Sequence, residues 1–155
     1  MGFGNVASAL ILLIAVMTLS TAVVLSLKDY YDKTTTSVSL VQAELTKELR
    51  TDITIDVVHL DNTSNTLSVY IKNSGSQKLD PAQLDVYLDK IYIPRNDSNR
   101  TVTILADTEM TNNTIWDPKE QVQIQIFNYS LATNTLHEIT VTTQYGVKNS
   151  YEFTV

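Results

Sequence analysis

The chain has 155 residues, a formal net charge of −6 and no cysteine. The missing thiols exclude disulfide scaffolds, thiolate zinc sites and cysteine nucleophiles, and an acidic surface repels the phosphates of nucleic acid. The charge is unevenly placed: none precedes Lys28, four basic and four acidic side chains lie between Lys28 and Arg50, and seven basic face thirteen acidic over 51–155.

Val6 to Leu27 is a run of 22 residues without charge, proline or glycine. As a helix it is about 33 Å long, enough to cross roughly 30 Å of hydrocarbon. Val6, Leu10, Ile14, Met17, Val24 and Leu27 are the candidate anchor residues. Serine and threonine within the run can bond to the helix's own carbonyls and so cost little in lipid. Lys28, Tyr30 and Tyr31 follow at once, as an interfacial belt does where a helix leaves lipid. A buried core helix is the plain alternative, but the run is longer than a core requires. A cleaved secretory signal would carry a basic residue before a shorter apolar stretch, and none is there. Myristoylation needs Ser or Thr where Val6 stands.

The helical pattern continues past this run. Val38, Val41, Leu45 and Leu49 are spaced three, four and four apart, which lines one face of a helix. A stripe so narrow suits packing on another helix or on the chain's own β domain. No glycine or proline interrupts from Asn5 to Arg50, so one helix over 5–50 is expected, with Thr34-Thr35-Thr36-Ser37 as its weak point.

From Thr51 the apolar period changes to two. Ile53, Ile55 and Val57; Leu67, Val69 and Ile71; Leu84, Val86 and Leu88; Val122, Ile124 and Ile126; Ile139 and Val141; and Tyr151, Phe153 and Val155 each alternate with polar neighbours. Turn chemistry separates them, at 61–65, Asn73-Ser74-Gly75-Ser76, Asp80-Pro81, Asn96-Asp97-Ser98-Asn99, Asp117-Pro118 and Tyr145-Gly146. A two-residue turn at Asp89-Lys90 would pair Leu88 with Ile91, Tyr87 with Tyr92 and Val86 with Ile93, which puts all aliphatics on one face and both tyrosines on the other. The expectation is an all-β immunoglobulin-like sandwich of seven or eight antiparallel strands over 51–155, preceded by one long N-terminal transmembrane α-helix and stalk over 1–50.

Catalytic, cofactor and metal motifs are not found: there is no HExxH, GxSxG, P-loop or EF-hand pattern. His59 and His137 follow the apolar parity of their strands, so they read as satisfied strand-end histidines before they read as a metal pair. Asn62, Asn96, Asn99, Asn112 and Asn128 each begin an N-x-[ST] acceptor for glycosylation, against a plainer reading as turn residues. Tyr70, Tyr87 and Tyr92 take the wet parity and are the candidate partner surface, against strand propensity alone. Trp116, before Asp117-Pro118, is expected to plug one end of the sandwich.

The opening Met1-Gly2-Phe3-Gly4, with an uncharged helix running directly into a cysteine-free sandwich, resembles the archaeal type IV pilin-like superfamily. Within it the chain is most similar to the archaellum (archaeal flagellum) accessory or stator proteins, archaellar protein F (FlaF) before its paralogue FlaG. The resemblance implies a non-enzymatic tether between the motor in the cell membrane and the surface (S-) layer. The helix would be single-pass, the sandwich extracellular and bound to surface-layer protein, and a second copy or the paralogue would pair with it. Lys28 and Lys33 argue weakly for the opposite orientation by the positive-inside rule; the acceptor asparagines and the resemblance favour the outside. Filament-forming relatives carry a basic residue and glycine before a peptidase cut. No basic residue precedes the run here, although Gly2 or Gly4 could mark a cut. A filament subunit whose helix packs in a filament core is the first alternative, and a membrane-tethered ligand-binding module the second.

Overall fold

The computed structural model describes residues 3–96, 98–111, 114–129 and 131–155. The chain divides into two compact units, Met1–Ala43 and Glu44–Val155. Helix α1 runs from Phe3 to Arg50 and buries none of its residues. Its hydroxyls bond back along the helix, with Ser8 to the Gly4 carbonyl at 2.9 Å, Thr18 to Ile14 at 3.0 Å and Thr21 to Met17 at 2.8 Å. Thr34, Thr36 and Ser37 do the same to Tyr30, Asp32 and Lys33. The weak point expected at 34–37 is nevertheless helical.

Among the described residues eight strands follow: β1 (Ile53–Asp61), β2 (Thr66–Asn73), β3 (Asp85–Leu88), β4 (Ile91–Ile93), β5 (Arg100–Ile104), β6 (Gln121–Phe127), β7 (Leu136–Thr142) and β8 (Lys148–Thr154), with a 3₁₀ turn at Pro81–Gln83. They make two antiparallel sheets, ordered β1-β2-β6-β5 and β4-β3-β7-β8, which form an immunoglobulin-like β-sandwich. The core takes one parity from each of the four inner strands: Leu67, Val69 and Ile71 of β2, Val122, Ile124 and Ile126 of β6, Val86 and Leu88 of β3, Ile139 and Val141 of β7. Each such side chain is worth about 1.5–3 kcal/mol on leaving water, and together they hold the two layers.

The β3–β4 hairpin has the register read from the sequence: Leu88 opposite Ile91, Tyr87 opposite Tyr92, Val86 opposite Ile93. Asp89 and Lys90 have φ of 48° and 69°, the geometry of a type I′ turn. Ile91 departs from the expected buried face, being 58% exposed, because β4 is the edge strand, whereas its partner Leu88 on inner β3 is buried. A second departure lies in β1. Its register against β2 shifts between Ile55 and Val57, so a bulge inserts one residue and reverses the parity after it. Val57 is therefore 46% exposed, while Val58 and Leu60 pack against the core instead.

Within the unit that holds the sandwich, the end of α1 is clasped by the loop after β2. The Arg50 carbonyl accepts from the N–H groups of Ser76 and Gln77 at 2.8 and 3.1 Å, and the Asp52 carbonyl from that of Gly75 at 2.9 Å. A Cβ on Gly75 would stand 2.5 Å from the Asp52 nitrogen and 2.6 Å from the Arg50 oxygen, so only glycine allows this approach. Asn73, fully buried, fixes the loop by donating to the carbonyls of Gln77 and Trp116 and accepting from the Gly75 N–H.

Candidate functional site

The candidate anchor residues Val6, Leu10, Ile14, Met17, Val24 and Leu27 are all exposed on α1. This helix is long and apolar enough to cross a membrane, with a mean hydropathy of 2.6 over its most apolar stretch. At its polar boundary Tyr30 and Tyr31 meet edge to face with ring centres 6.4 Å apart, and Lys33 pairs with Asp29 one turn back at 2.8 Å. Val38, Val41, Leu45 and Leu49 are exposed as well. Leu45 and Leu49 belong to the sandwich's own unit, so the sandwich leaves that part of the stripe uncovered.

The three tyrosines do not form one surface. Tyr87 and Tyr92 sit side by side on the outer face of the second sheet, with ring centres 5.3 Å apart. The Tyr92 hydroxyl donates to Asp85 at 3.2 Å, and Arg95 grips the same carboxylate with Nε at 2.8 Å and Nη2 at 3.1 Å. The Arg95 guanidinium, opposed by burial of the carboxyl, holds Asp85 below the usual carboxylate range. Tyr70 lies on the first sheet, half-buried, and its hydroxyl accepts from Gln123 at 3.0 Å.

The histidines also lie apart. The β1 bulge turns His59 outward, where it is exposed. His137, on β7 of the other sheet, is 7% exposed. Its Nδ1 pairs with Asp89 at 2.7 Å, and its Nε2 lies 2.9 Å from the Ala132 carbonyl and 2.8 Å from the Thr135 hydroxyl. The Ala132 carbonyl and then Asp89 raise its pKa above 6.5. Burial opposes ionisation of Asp89, yet the Glu138 N–H and His137 hold it below 3.8. Among the described residues no three histidine or acidic side chains gather as a metal site.

Of the acceptor asparagines, Asn62 and Asn96 are exposed in turns, and Asn99 is half-buried. Asn128 has φ of 57° and donates its side-chain amide to the Asn99 side-chain oxygen at 3.2 Å. Asn112 lies outside the described residues, as does Gly2.

Three polar side chains inside the sandwich were not legible as special. Trp116 is fully buried as expected, but a glutamate completes its seat. The Trp116 indole donates to the Glu120 carbonyl at 2.9 Å, and the Glu120 carboxylate, 1% exposed, accepts from the N–H groups of Met110 and Asp117 at 2.6 and 2.8 Å. Asp117 in turn accepts from Thr111 and pairs with Lys78 at 2.7 Å. Arg100 takes an inward position on β5 and is 6% exposed. Its guanidinium donates to the carbonyls of Leu84 at 2.7 Å and Ile93 at 3.3 Å, which ties β5 to the opposite sheet. Its Nε has no partner, and burial lowers its pKa. The alternation Arg100-x-Val102-x-Ile104 was the available signal for β5; a charged first member hid it. A groove of about 760 Å³ runs beside β5, walled by Pro81, Ala82, Arg100, Val102, Ile104 and Ile115.

An uncovered apolar helix joined to a two-sheet β-sandwich thus makes up the described chain. The match to the archaeal-type flagellin family model spans residues 2–153, and the chain belongs to that family. It matches none of the curated proteins in sequence. Among solved structures it is similar to the archaellum periplasmic stator protein FlaG from Sulfolobus acidocaldarius, at 23% identity and a TM-score of 0.54, covering 66% of this chain and 99% of that one. The FlaF and FlaG stator complex of the same organism matches at 25% identity and a TM-score of 0.49, covering 65% and 87%. The archaeal flagellum of Methanospirillum hungatei strain JF1 matches at 14% identity and a TM-score of 0.61, covering 100% of this chain and 94% of that one. FlaG thus shares the fold of about two thirds of this chain, and the filament structure that of its whole length.

Proposed function

We propose that this protein is a non-enzymatic structural anchor of the archaellum. Residues 1–50 would hold the cell membrane as a single pass and a stalk, and residues 51–155 would stand outside and tether the motor to surface-layer protein. The observation that carries this reading is the apolar first half of α1: 22 uncharged residues that the chain itself does nothing to bury. At about 25 cal/mol per Å² of apolar surface, such a helix cannot stay in water. Lipid is the simplest cover. Family membership supports an archaellar role, and the stator role draws on the opening residues and on the sandwich shared with FlaG. The Tyr87–Tyr92 face with Arg95 would contact the partner, and glycans at exposed Asn62 and Asn96 would mark the outer side. Pairing with a paralogue, or with a second copy, would cover Val38, Val41, Leu45 and Leu49.

A filament subunit is the second reading, favoured by the filament likeness that covers the whole chain, helix included. Cell fractionation separates the two. The anchor should resist carbonate extraction from membranes, be absent from sheared filaments, and, as detergent-solubilised full-length protein, sediment with isolated surface layer. Recovery in sheared filaments with an N-terminus trimmed at Gly2 or Gly4 would install the subunit reading, and failure to sediment with surface layer would remove the tether.

A further inference from the structure

Four strands bound the two sheets, and three of them are guarded against strand addition. β1 carries the bulge, β4 has three residues, and β8 sets Lys148 and Glu152 along its length; a break in register, brevity and charge are the usual protections. β5 has no bulge, and its one charge, Arg100, is turned inward. Its five residues, Arg-Thr-Val-Thr-Ile, pair with β6 without a shift. The Leu105 N–H donates to the Gln121 carbonyl at 2.9 Å, and the Phe127 N–H to the Asn99 carbonyl at 2.7 Å. Bonded and unbonded pairs alternate in an antiparallel ladder, so Thr101 and Thr103 bond to β6 while Arg100, Val102 and Ile104 turn their N–H and C=O groups to the open edge. These outward groups have no backbone partner among the described residues.

The groove lies along that same edge. Its apolar walls are the half-buried side chains of Val102 and Ile104 with the exposed Ile115. At one end is Arg100, a buried cation with no carboxylate in ion-pair range among the described residues and with Nε unpartnered. Arg95 stands at the rim, already joined to Asp85. Two acids also line the groove, Asp80 and Glu109; the Asp80 carboxylate is taken by the Ala82 N–H and the Gln83 amide at 3.0 Å each.

We propose that β5 and this groove form a docking site for an extended acidic segment of a partner protein, which adds to the first sheet as a new edge strand. Residues opposite one another in a ladder share a face. A carboxylate opposite Arg100 therefore points toward the guanidinium, and apolar residues opposite Val102 and Ile104 fill the groove. The recognised pattern is one acid followed or preceded by two aliphatics at every second position, and backbone bonds supply the rest. The site goes beyond the anchor reading and would serve a filament subunit equally, so its failure leaves that reading standing.

The test uses full-length protein in detergent and two capped, dye-labelled peptides, Asp-Thr-Val-Thr-Val-Thr and its reverse, which cover both strand directions. One of them should bind and slow amide exchange at Arg100, Val102 and Ile104, leaving Thr101 and Thr103 as they were. Replacing its aspartate by lysine should weaken binding about tenfold or more. Methylating alternate backbone nitrogens of the peptide should abolish binding without touching the protein. Val102→Pro removes an outward N–H, a change that edge strands tolerate, and should also abolish it. No binding of either peptide at about 1 mM, equal binding of the lysine or methylated forms, or protection elsewhere would each overturn the proposal.

Discussion

Glu120 holds one end of the sandwich through two backbone N–H groups, and nothing apolar could replace it without orphaning them. Each orphaned buried donor costs about 1–3 kcal/mol. Glu120→Ala should therefore destabilise the fold by about 3 kcal/mol, with Glu120→Gln between it and wild type. Trp116 is the chain's one tryptophan and touches this residue, so its fluorescence reports the transition. At His137 the folded pKa lies above 6.5, so its stabilisation is complete below that value and is lost as pH rises through the folded one. Asp89, held below 3.8, contributes above that value and fails as pH falls through its folded one. Both act between. Raising the pH from about 6 to about 8 should lower the unfolding midpoint, and His137→Gln should flatten that slope. Lys90, Glu138 and Glu152 border the same hollow, so they should be held constant in the comparison. Glu120 and Arg100 were illegible in the sequence for one reason. A charge at an inward position is uncommon, and only the carbonyls and N–H groups brought to it by distant loops make it tolerable.

At the scale of elements, the β3–β4 hairpin was legible because its parity and its turn agree, and one slipped residue would have exposed every aliphatic. Its weakness is Lys90 at φ 69°. Lys90→Gly should raise stability by about 0.5–1 kcal/mol, read as a higher thermal midpoint, since left-handed backbone strains any residue with a Cβ. The β1 bulge was illegible. Ile53, Ile55 and Val57 alternate properly, and only the partner strand decides that Val57 turns outward and Val58 inward. The loop after β2 read simply as a turn, whereas Gly75 is there for space. Gly75→Ala would push a methyl into main-chain atoms of residues 50 and 52, and should cost about 1–3 kcal/mol in chemical denaturation.

For the whole molecule, the division into an apolar helix and a sandwich was legible because composition changes abruptly at Lys28 and the apolar period changes at Thr51. The tyrosine surface was legible only in part: parity set Tyr70, Tyr87 and Tyr92 outward, but strand order, which no local pattern encodes, put them on two different sheets. If lipid covers α1, two charges in the run should show it. Ile14→Arg with Met17→Arg costs about 3 kcal/mol per residue near a bilayer centre. The double variant should leave the carbonate-resistant pellet for the supernatant, with its tryptophan emission unchanged.

The clasp on the end of α1 has a mechanical side. Tension reaching the chain at residue 44 meets the N–H groups of Gly75, Ser76 and Gln77 before it reaches the first rung of β1. Those three bonds are made by main chain to main chain, so a pull is handed to the neighbourhood of β2, an inner strand, and the exposed rim is spared. Hauling on this protein would strain its middle first.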